Sequence, residues 1–189
     1  MQNTPYTLSL VQKLTMMKNQ WTVSRTDGTP HDIGIIAQKR MSLKESVTCT
    51  SLDGSSVLFR IQGRKMLEIG GTYDVLDGAG EALGLITKDF KASLGRSTYV
   101  IETQHGRWTL TETSQFQAIL RRVVGMVSNI PWLIRVQFSL LDEAGTHVGH
   151  VNRANMKLKD TYEIQVDDGR LDQRMAAAMG VAVDAFMNR

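Results

Sequence analysis

The residues best suited to bind a cation form a carboxylate-rich stretch near the end of the sequence: Asp160, Glu163, Asp167, Asp168 and Asp172. Carboxylate oxygens are ligands that Ca²⁺ prefers. Their spacing is not that of an EF-hand loop, however, and strand alternation would place Asp160 and Glu163 on opposite faces. We interpret Asp168 and Asp172 as residues at the N-terminus of a helix, where they accept free N–H groups and offset the helix dipole. The sequence therefore predicts no metal site.

Other residues with reactive side chains lack the neighbours that catalysis needs. The glycine-rich stretch Gly78–Gly84 superficially resembles a dinucleotide-binding loop, but the strand-like Leu85–Lys88 follows it where a helix would be required. His147 and His150 have no companion ligands for a zinc site, and we expect them to be exposed or half-buried strand residues. Cys49 has no evident base partner and alternates like a buried strand residue. We predict a protein without enzymatic activity and without a cofactor.

Basic residues recur at the ends of equivalent second strands, in three of the predicted hairpins. They are Lys39, Arg40, Lys88, Lys91, Arg153 and Lys157. Basic residues that gather at a barrel rim would attract anionic lipid headgroups, by about 1 kcal/mol for each Lys or Arg near the surface. The alternative is that these charges solvate strand ends and oppose aggregation. A net charge of +3 permits an acidic partner without requiring one.

A repeat in the middle of the chain predicts the β-hairpins that carry these residues. Tyr73–Lys88 aligns without gaps on Phe138–Arg153, and both copies share the pattern Leu-Asp-x-Ala-Gly followed by a second Gly. Looser copies begin at Trp21, Val47 and Tyr99. Each copy contains a β-branched or aromatic run, a turn with Asp or His before Gly, and a second alternating run.

A leading strand near Tyr6–Leu14 and a closing strand at Asp160–Val166 bring the count to about twelve strands. An almost uniformly apolar segment, Leu171–Met187, follows the closing strand. A helix that is apolar on all sides must be enclosed, and a sheet that closes into a barrel also removes its exposed edges. The predicted fold class is mainly β: a closed barrel of about twelve strands around a C-terminal hydrophobic helix, in one domain over residues 1–189.

The segment near residues 115–128 departs from the strand pattern. Its apolar residues recur at helical spacing: Phe116, Ile119, Leu120, Val123, Val124 and Val127. Arg121 and Arg122 lie off this stripe, and Pro131 and Trp132 follow it. One interpretation is a helix that covers an open end of the barrel or packs on its wall. The other is an amphipathic element whose Arg121, Arg122 and Trp132 contact a membrane or a partner.

The composition, 42% hydrophobic and 22% charged, is that of an ordinary globular protein, and a lone cysteine cannot form an intramolecular disulfide. The first residues lack a basic signal-peptide region. The apolar run Met175–Met187 is interrupted by Asp184 and is shorter than the roughly 20 residues that a spanning helix needs. We therefore expect a cytoplasmic protein that is not transmembrane. Dispersed positive charge and 6% aromatic residues argue against nucleic acid as a partner.

The hairpin series, the Asp160–Tyr162 strand, Asp172 and the Ala176–Ala185 helix resemble the LURP-one-related proteins. This family belongs to the tubby C-terminal-like superfamily, which also contains the phospholipid scramblases. The resemblance extends from about Leu14 to the end of the chain and implies a twelve-stranded barrel around a C-terminal helix. Tubby relatives bind phosphoinositides through basic residues, scramblases act on lipids, and scramblase relatives bind calcium near the segment that is acidic here. The insert at 115–128 is not a general feature of the family.

These observations lead to one preferred function and two alternatives. The preferred function is reversible, peripheral binding of an anionic phospholipid, such as a phosphoinositide, by a non-enzymatic barrel. The first alternative is a protein-interaction module that docks through residues 115–133. The second is a scramblase-like protein that moves lipids.

Overall fold

A computed structural model describes residues 4–14, 18–39, 47–64, 71–89, 97–113, 136–156 and 159–187, with the backbone alone at 14, 18, 19, 39, 136, 154–156, 159, 160 and 184–187. These ranges contain twelve β-strands and one helix. The elements are β1 (Tyr6–Leu14), β2 (Lys18–Arg25), β3 (His31–Lys39), β4 (Val47–Thr50), β5 (Val57–Gly63), β6 (Thr72–Asp77), β7 (Ala82–Lys88), β8 (Thr98–Thr103), β9 (Gly106–Glu112), β10 (Val136–Leu141), β11 (His147–Met156), β12 (Lys159–Val166) and α1 (Gln173–Met187).

The twelve strands form one closed antiparallel barrel in which every strand pairs with its neighbours in sequence. The first and last strands close it, with Tyr6 opposite Val166 and Leu10 opposite Tyr162. Closure gives each of the twelve described strands a partner on both sides. The predicted fold class, a twelve-stranded barrel with a C-terminal helix, is therefore confirmed.

Strand alternation gives the barrel an apolar inner face and a largely polar outer face. On β9, Trp108 and Leu110 are fully buried, whereas Thr109 and Thr111 between and beyond them are partly exposed. The largest buried side chains of the core are Trp21, Trp108, Tyr99, Tyr162, Phe59 and Phe138. Burial of an aliphatic or aromatic side chain contributes about 1.5–3 kcal/mol relative to exposure, so this inner face is the main source of stability.

The five predicted hairpins are confirmed, and the two best-matched copies have the same turn geometry. Asp77 Oδ1 accepts the backbone N–H groups two and four residues further on, both at 2.9 Å. Asp142 Oδ1 does the same at 2.9 and 2.8 Å. The glycine three residues after each Asp has positive φ, 94° at Gly80 and 79° at Gly145, which explains why glycine is shared there.

Four hairpins also share a β-bulge next to the turn, which periodicity did not predict. In each, the pairing register shifts and leaves one extra apolar residue on the second strand. These residues are Ile33, Leu58, Leu83 and Val148, all partly buried against the core. A glycine follows three of the bulges, at Gly34, Gly84 and Gly149, and lets the next strand approach closely. A Cβ atom at these positions would overlap the carbonyl oxygen of Thr50, Glu102 or Gln165 respectively.

The helix α1 fills the barrel, as the sequence predicted. Every residue from Met175 to Val183 is buried, and most of them are small. Small residues are needed because the barrel wall is close: a Cβ atom at Gly180 would lie 2.7 Å from Ile164 Cδ1 and 3.1 Å from Leu10 Cδ2. The helix is therefore an integral part of the core.

The two ends of the barrel differ in how strands are connected. At one end, which we call the turn end, the connections are the short turns 26–30, 51–56, 78–81, 104–105 and 142–146, together with the segment 167–172 that leads into α1. At the other, the linker end, strands are joined by 15–17, 40–46, 65–70, 90–96, 114–135 and 157–158. These segments lie outside the described residues, and so does the helix predicted near 115–128.

Candidate functional site

Lys88 and Arg153 are the two predicted headgroup-binding residues whose side chains are described, and both lie at the linker end on the inner face of the barrel. Lys88 ends β7, two residues after the fully buried Ile86, and pairs across the sheet with Tyr99. Arg153 follows Val151 by two residues on β11 and pairs with Tyr162. Both basic side chains are half-buried.

Arg153 has a specific local contact that limits its freedom. Its guanidinium carbon lies 5.6 Å from the centroid of the Tyr162 ring, within range of a cation–π interaction, and its Nε atom is buried. Tyr162 is itself fully buried. The aromatic contact therefore holds the arginine against the wall of the barrel mouth.

The remaining predicted residues fall at or beyond strand ends. Lys39 is the last residue of β3, and its side chain is outside the described residues. The others lie wholly outside them: Arg40, Lys91, Lys157, Arg121, Arg122 and Trp132. The strands β3, β7 and β11 all end at the linker end, but they are four strands apart in a barrel of twelve. The predicted basic positions thus share one end and are spread around it, rather than forming one compact cluster.

A buried polar layer on the inner face at the linker end was not predicted from the sequence. Glu112 is 3% exposed and Gln12 is 8% exposed, each two residues beyond a fully buried leucine of the core. The Ser97 backbone N–H donates to Glu112 Oε2 at 3.4 Å. Glu112 lies on β9, between the strands of Lys88 and Arg153, and so places a carboxylate between two cations. The sequence does contain a signal for this layer: Gln12 and Glu112 are polar residues at positions where strand alternation predicts an inward-facing side chain.

The carboxylates near the C-terminal end serve structure, as expected for Asp172. Its Oδ1 accepts the backbone N–H of Arg174 at 2.7 Å, so Asp172 is the N-cap of α1. Burial alone would raise the pKa of Asp172, but hydrogen bonds from the Arg174 side chain and backbone outweigh burial and lower it. The guanidinium of Arg174 reaches the same carboxylate at 2.7 Å.

The structure corrects the role predicted for Asp168. This residue lies five positions before the first helical residue, so it does not cap α1. Its carboxylate accepts the Arg170 backbone N–H at 3.1 Å and the Trp108 indole N–H at 3.0 Å. The Arg170 guanidinium also donates to it, at 2.7 Å, and lowers the pKa of Asp168. Asp168 therefore fastens the chain to the barrel wall before the helix begins.

Within the ranges that the structure describes, no group of three or more His, Cys, Asp or Glu residues could hold a metal ion. Glu163 is exposed on the outer face, where one carboxylate oxygen lies 3.9 Å from His150 Nε2, and His147 is exposed. Cys49 is 1% exposed, and burial raises the pKa of its thiol to about 12. A thiol in this environment is a poor nucleophile.

None of the described helices is long and apolar enough to cross a membrane.

The model of the LURP-one-related family matches residues 32–184, which span β3 to the middle of α1. No curated protein and no solved structure matched the chain. The family match covers most of the sequence and includes ten strands, β3 to β12, and the buried part of the helix. The chain therefore belongs to the LURP-one-related family.

Proposed function

We propose that this protein binds anionic phospholipid surfaces reversibly and without catalysis, through basic residues at the linker end of its barrel. The observation that carries the proposal is that Lys88, Arg153 and the last residue of β3, Lys39, all lie at that one end. Antiparallel strands alternate in direction, so the second strand of every hairpin ends on the same side. Arg40, Lys91 and Lys157 follow these strands within a few residues in the sequence, so the chain keeps them close to the same end.

The physical basis of the binding is electrostatic. Each Lys or Arg near an anionic bilayer contributes about 1 kcal/mol, so a few such residues suffice for reversible association. The attraction decays over a Debye length of about 8 Å at physiological ionic strength. Binding should therefore depend on the fraction of anionic lipid and fall as salt is raised.

We propose a non-catalytic function because of the environment of the residues with reactive side chains. Cys49 is buried in the core, His147 is exposed on β11, and the carboxylate near His150 belongs to the exposed Glu163 on the outer face. In the inner polar layer, Glu112 accepts the Ser97 backbone N–H and Arg153 lies over the Tyr162 ring, contacts that serve structure. A catalytic role for any of these residues has no geometric support among the described residues.

The test is co-sedimentation with vesicles of phosphatidylcholine containing increasing phosphatidylserine or phosphoinositide. Two double charge-reversal variants separate the possible contacts. The variant Lys88→Glu/Lys91→Glu probes the hairpin ends. The variant Arg121→Glu/Arg122→Glu probes the insert. Loss of two cationic contacts with the bilayer should weaken the free energy of vesicle binding by about 2 kcal/mol, which lowers the partition coefficient between vesicle and water roughly thirtyfold. The matched control, Arg60→Glu with Arg107→Glu, makes the same change in net charge at the turn end.

We expect the control to bind like wild type and at least one linker-end variant to bind more weakly with little change in melting temperature. Wild-type protein that ignores anionic vesicles even at low salt would overturn the proposal and favour protein docking through residues 115–133. Exchange of lipid between leaflets would instead indicate a scramblase-like activity.

A further inference from the structure

Among the side chains that the structure describes, the one large apolar residue that is exposed lies at the turn end of the barrel. It is Leu52, in the turn between β4 and β5, and it is 51% exposed. A single exposed leucine is ordinary on a protein surface, whereas a leucine within a larger apolar area marks a contact site. The residues around it on the rim therefore decide its meaning.

Three of the apolar bulge residues, Ile33, Leu58 and Leu83, lie on the same side of the turn end as Leu52. Each is near the start of the second strand of its hairpin, and each packs against the core while it remains partly exposed. The Leu58 side chain reaches across β4 to β3, because a Cβ atom at Gly34 would lie 2.8 Å from Leu58 Cδ1. The bulges thus bring apolar side chains to the rim.

The turns that carry these residues are neighbours. Strands β2 to β7 are consecutive in the barrel, so the turns 26–30, 51–56 and 78–81 follow one another at intervals of two strands, about 10 Å. The third turn touches the strand that follows the second, since a Cβ atom at Gly78 would overlap the Val57 carbonyl oxygen. We call this half of the rim, with Ile33, Leu52, Leu58 and Leu83, the rim strip.

Acidic residues flank the rim strip, and most of them have no countercharge. Arg25 is engaged by Asp27 at 2.8 Å, and Arg60 reaches the Gly78 carbonyl oxygen at 3.5 Å. Within the described ranges, no ion pair involves the four remaining carboxylates of these turns. They are Asp32, Asp53, Asp77 and Glu81. The rim strip is therefore an apolar surface with a negative border.

The turns hold two of these carboxylates in fixed positions and leave one oxygen of each available. Asp53 Oδ1 accepts the Ser51 hydroxyl at 2.6 Å and the Ser55 hydroxyl and N–H at 2.9 and 3.1 Å, and these bonds lower the pKa of Asp53 to about 2. Asp77 Oδ1 accepts two N–H groups of its own turn. Neither Oδ2 atom has a hydrogen-bond partner in the described part of the chain. Because these acceptors are already ordered, a cationic partner would order few groups on binding.

The chemistry of the rim strip selects the class of partner. A negative border repels anionic bilayers and nucleic acids. A peptide with alternating basic and apolar side chains matches both the border and the apolar centre. The outer two turns are about 20 Å apart, a distance that about six extended residues span.

We infer that the rim strip is a docking site for a short basic, amphipathic segment of a partner protein. An apolar side chain of that segment packs on Leu52, and its lysine or arginine side chains contact the flanking carboxylates. The site is at the opposite end of the barrel from the proposed lipid-binding residues and does not depend on them.

Fluorescence anisotropy with two synthetic peptides tests the apolar part of the site. One is a labelled peptide of alternating lysine and leucine, and the other has serine in place of leucine and the same charge. We expect wild type to bind the leucine peptide at least about tenfold more tightly, because burial of one leucine side chain is sufficient for this difference. Leu52→Ser should remove most of the preference. The control Ala144→Ser, at an exposed position in the β10–β11 turn, should retain it.

Two double variants with the same change in net charge test the electrostatic part. Asp32→Asn/Glu81→Gln removes carboxylates beside the rim strip, and Glu143→Gln/Asp167→Asn removes two from the other half of the turn end. All four native residues are exposed, and the amide oxygens can still accept the bonds now made to Asp32, Glu143 and Asp167. We expect the first variant to weaken binding of the leucine peptide about fivefold and the second to change it less than about twofold.

Equal weakening by the two double variants would show a general attraction to an acidic surface and overturn the inference. Equal affinity of wild type for the two peptides, or no binding of either at low salt, would also overturn it. Self-association of wild type that Leu52→Ser abolishes would identify a second copy of this chain as the occupant and contradict a separate partner. These measurements contain no lipid, so a failure of vesicle binding would leave this inference intact.

Discussion

Trp108 Nε1 donates a hydrogen bond to Asp168 Oδ2 at 3.0 Å, which joins strand β9 to the segment that introduces the C-terminal helix. Trp108 is fully buried, and the Arg170 guanidinium carbon lies 5.8 Å from its ring centroid while the same guanidinium donates to Asp168. Three residues further along the segment, the Tyr6 hydroxyl of β1 donates to the Leu171 carbonyl at 2.7 Å. Contacts from two distant strands thus fix the point at which the chain enters the barrel.

We predict that Asp168→Ala destabilises the protein by about 1–3 kcal/mol, because the buried Trp108 N–H loses its acceptor. The matched control is Asp167→Ala, since Asp167 is exposed and its side chain accepts from Gln165 at the surface. A change within about 0.5 kcal/mol is expected for the control. Urea denaturation followed by circular dichroism measures both. Equal effects would show that the Trp108 contact contributes little.

Acid should destabilise the fold through carboxylates whose pKa is lowered by folding. Ion pairing and hydrogen bonding lower the pKa of Asp168 and of Asp172, and lower that of Asp27 to about 2. A lowered folded-state pKa contributes stability that is present above the unfolded value, about 3.9, and is lost as the pH falls through the folded value. We therefore predict a decline in stability between about pH 5 and pH 2.

The variant Asp172→Asn isolates this effect, because asparagine can still act as an N-cap but does not titrate in this range. Its stability should fall less steeply than that of wild type over the same interval, as measured by urea midpoints at successive pH values. Parallel curves for the two proteins would contradict a contribution from Asp172.

The hairpins and the helix were predictable because their signals are local. The turn at Asp77–Gly80 needs a carboxylate that accepts nearby N–H groups and a glycine that adopts positive φ, and both requirements are visible in the sequence. The helix was predictable because the apolar run after Val166 lacks the strand period. Even the common end of Lys88 and Arg153 follows from counting antiparallel strands.

Contacts between distant strands had no such signal. Trp108 and Asp168 are 60 residues apart, and nothing in the local pattern around either residue specifies the other. The repeat shows that Gly84 and Gly149 are shared, but the reason is non-local: they accommodate the backbone of the neighbouring strand. Glu112 is a charged residue at an inward-facing position of β9, and strand alternation alone does not distinguish such a residue from one at a solvated strand end.

The close approach at Gly84 gives a third prediction. Gly84→Ala would place a methyl group against the Glu102 carbonyl oxygen of the neighbouring strand, which cannot move without disrupting the sheet. We expect this substitution to lower the free energy of unfolding by about 3 kcal/mol or more. The control, Gly54→Ala, has open space and a φ of 72°, so its cost should be about 1 kcal/mol from backbone strain. A smaller loss at Gly84 than at Gly54 would contradict the steric argument.

Cys49 provides a probe of barrel opening. The thiol is buried, and burial raises its pKa to about 12, so the reactive thiolate is scarce in the native protein at pH 8. We predict that a thiol reagent modifies native protein far more slowly than urea-unfolded protein. The matched reference is the exposed cysteine of Ser55→Cys, which should react rapidly in the folded state. Rapid modification of wild type under native conditions would show that the barrel opens readily near β4.

The final prediction concerns the helix as the filling of the barrel. Met179 is fully buried, and Met179→Ala should destabilise by about 2–5 kcal/mol because it leaves a cavity that the surrounding strands cannot close. Removal of all residues after Asp168 eliminates every buried contact from Met175 to Val183, so the remaining strands would enclose an empty interior. We expect this truncated chain to lose cooperative thermal unfolding and to aggregate. The segment before the helix also contacts the barrel wall, where the Leu171 carbonyl accepts from the Tyr6 hydroxyl, so truncation removes this contact at the turn end as well. Calorimetry with size-exclusion chromatography measures both properties, and a truncated protein that stays monomeric and melts cooperatively would show that the barrel is stable without its helix.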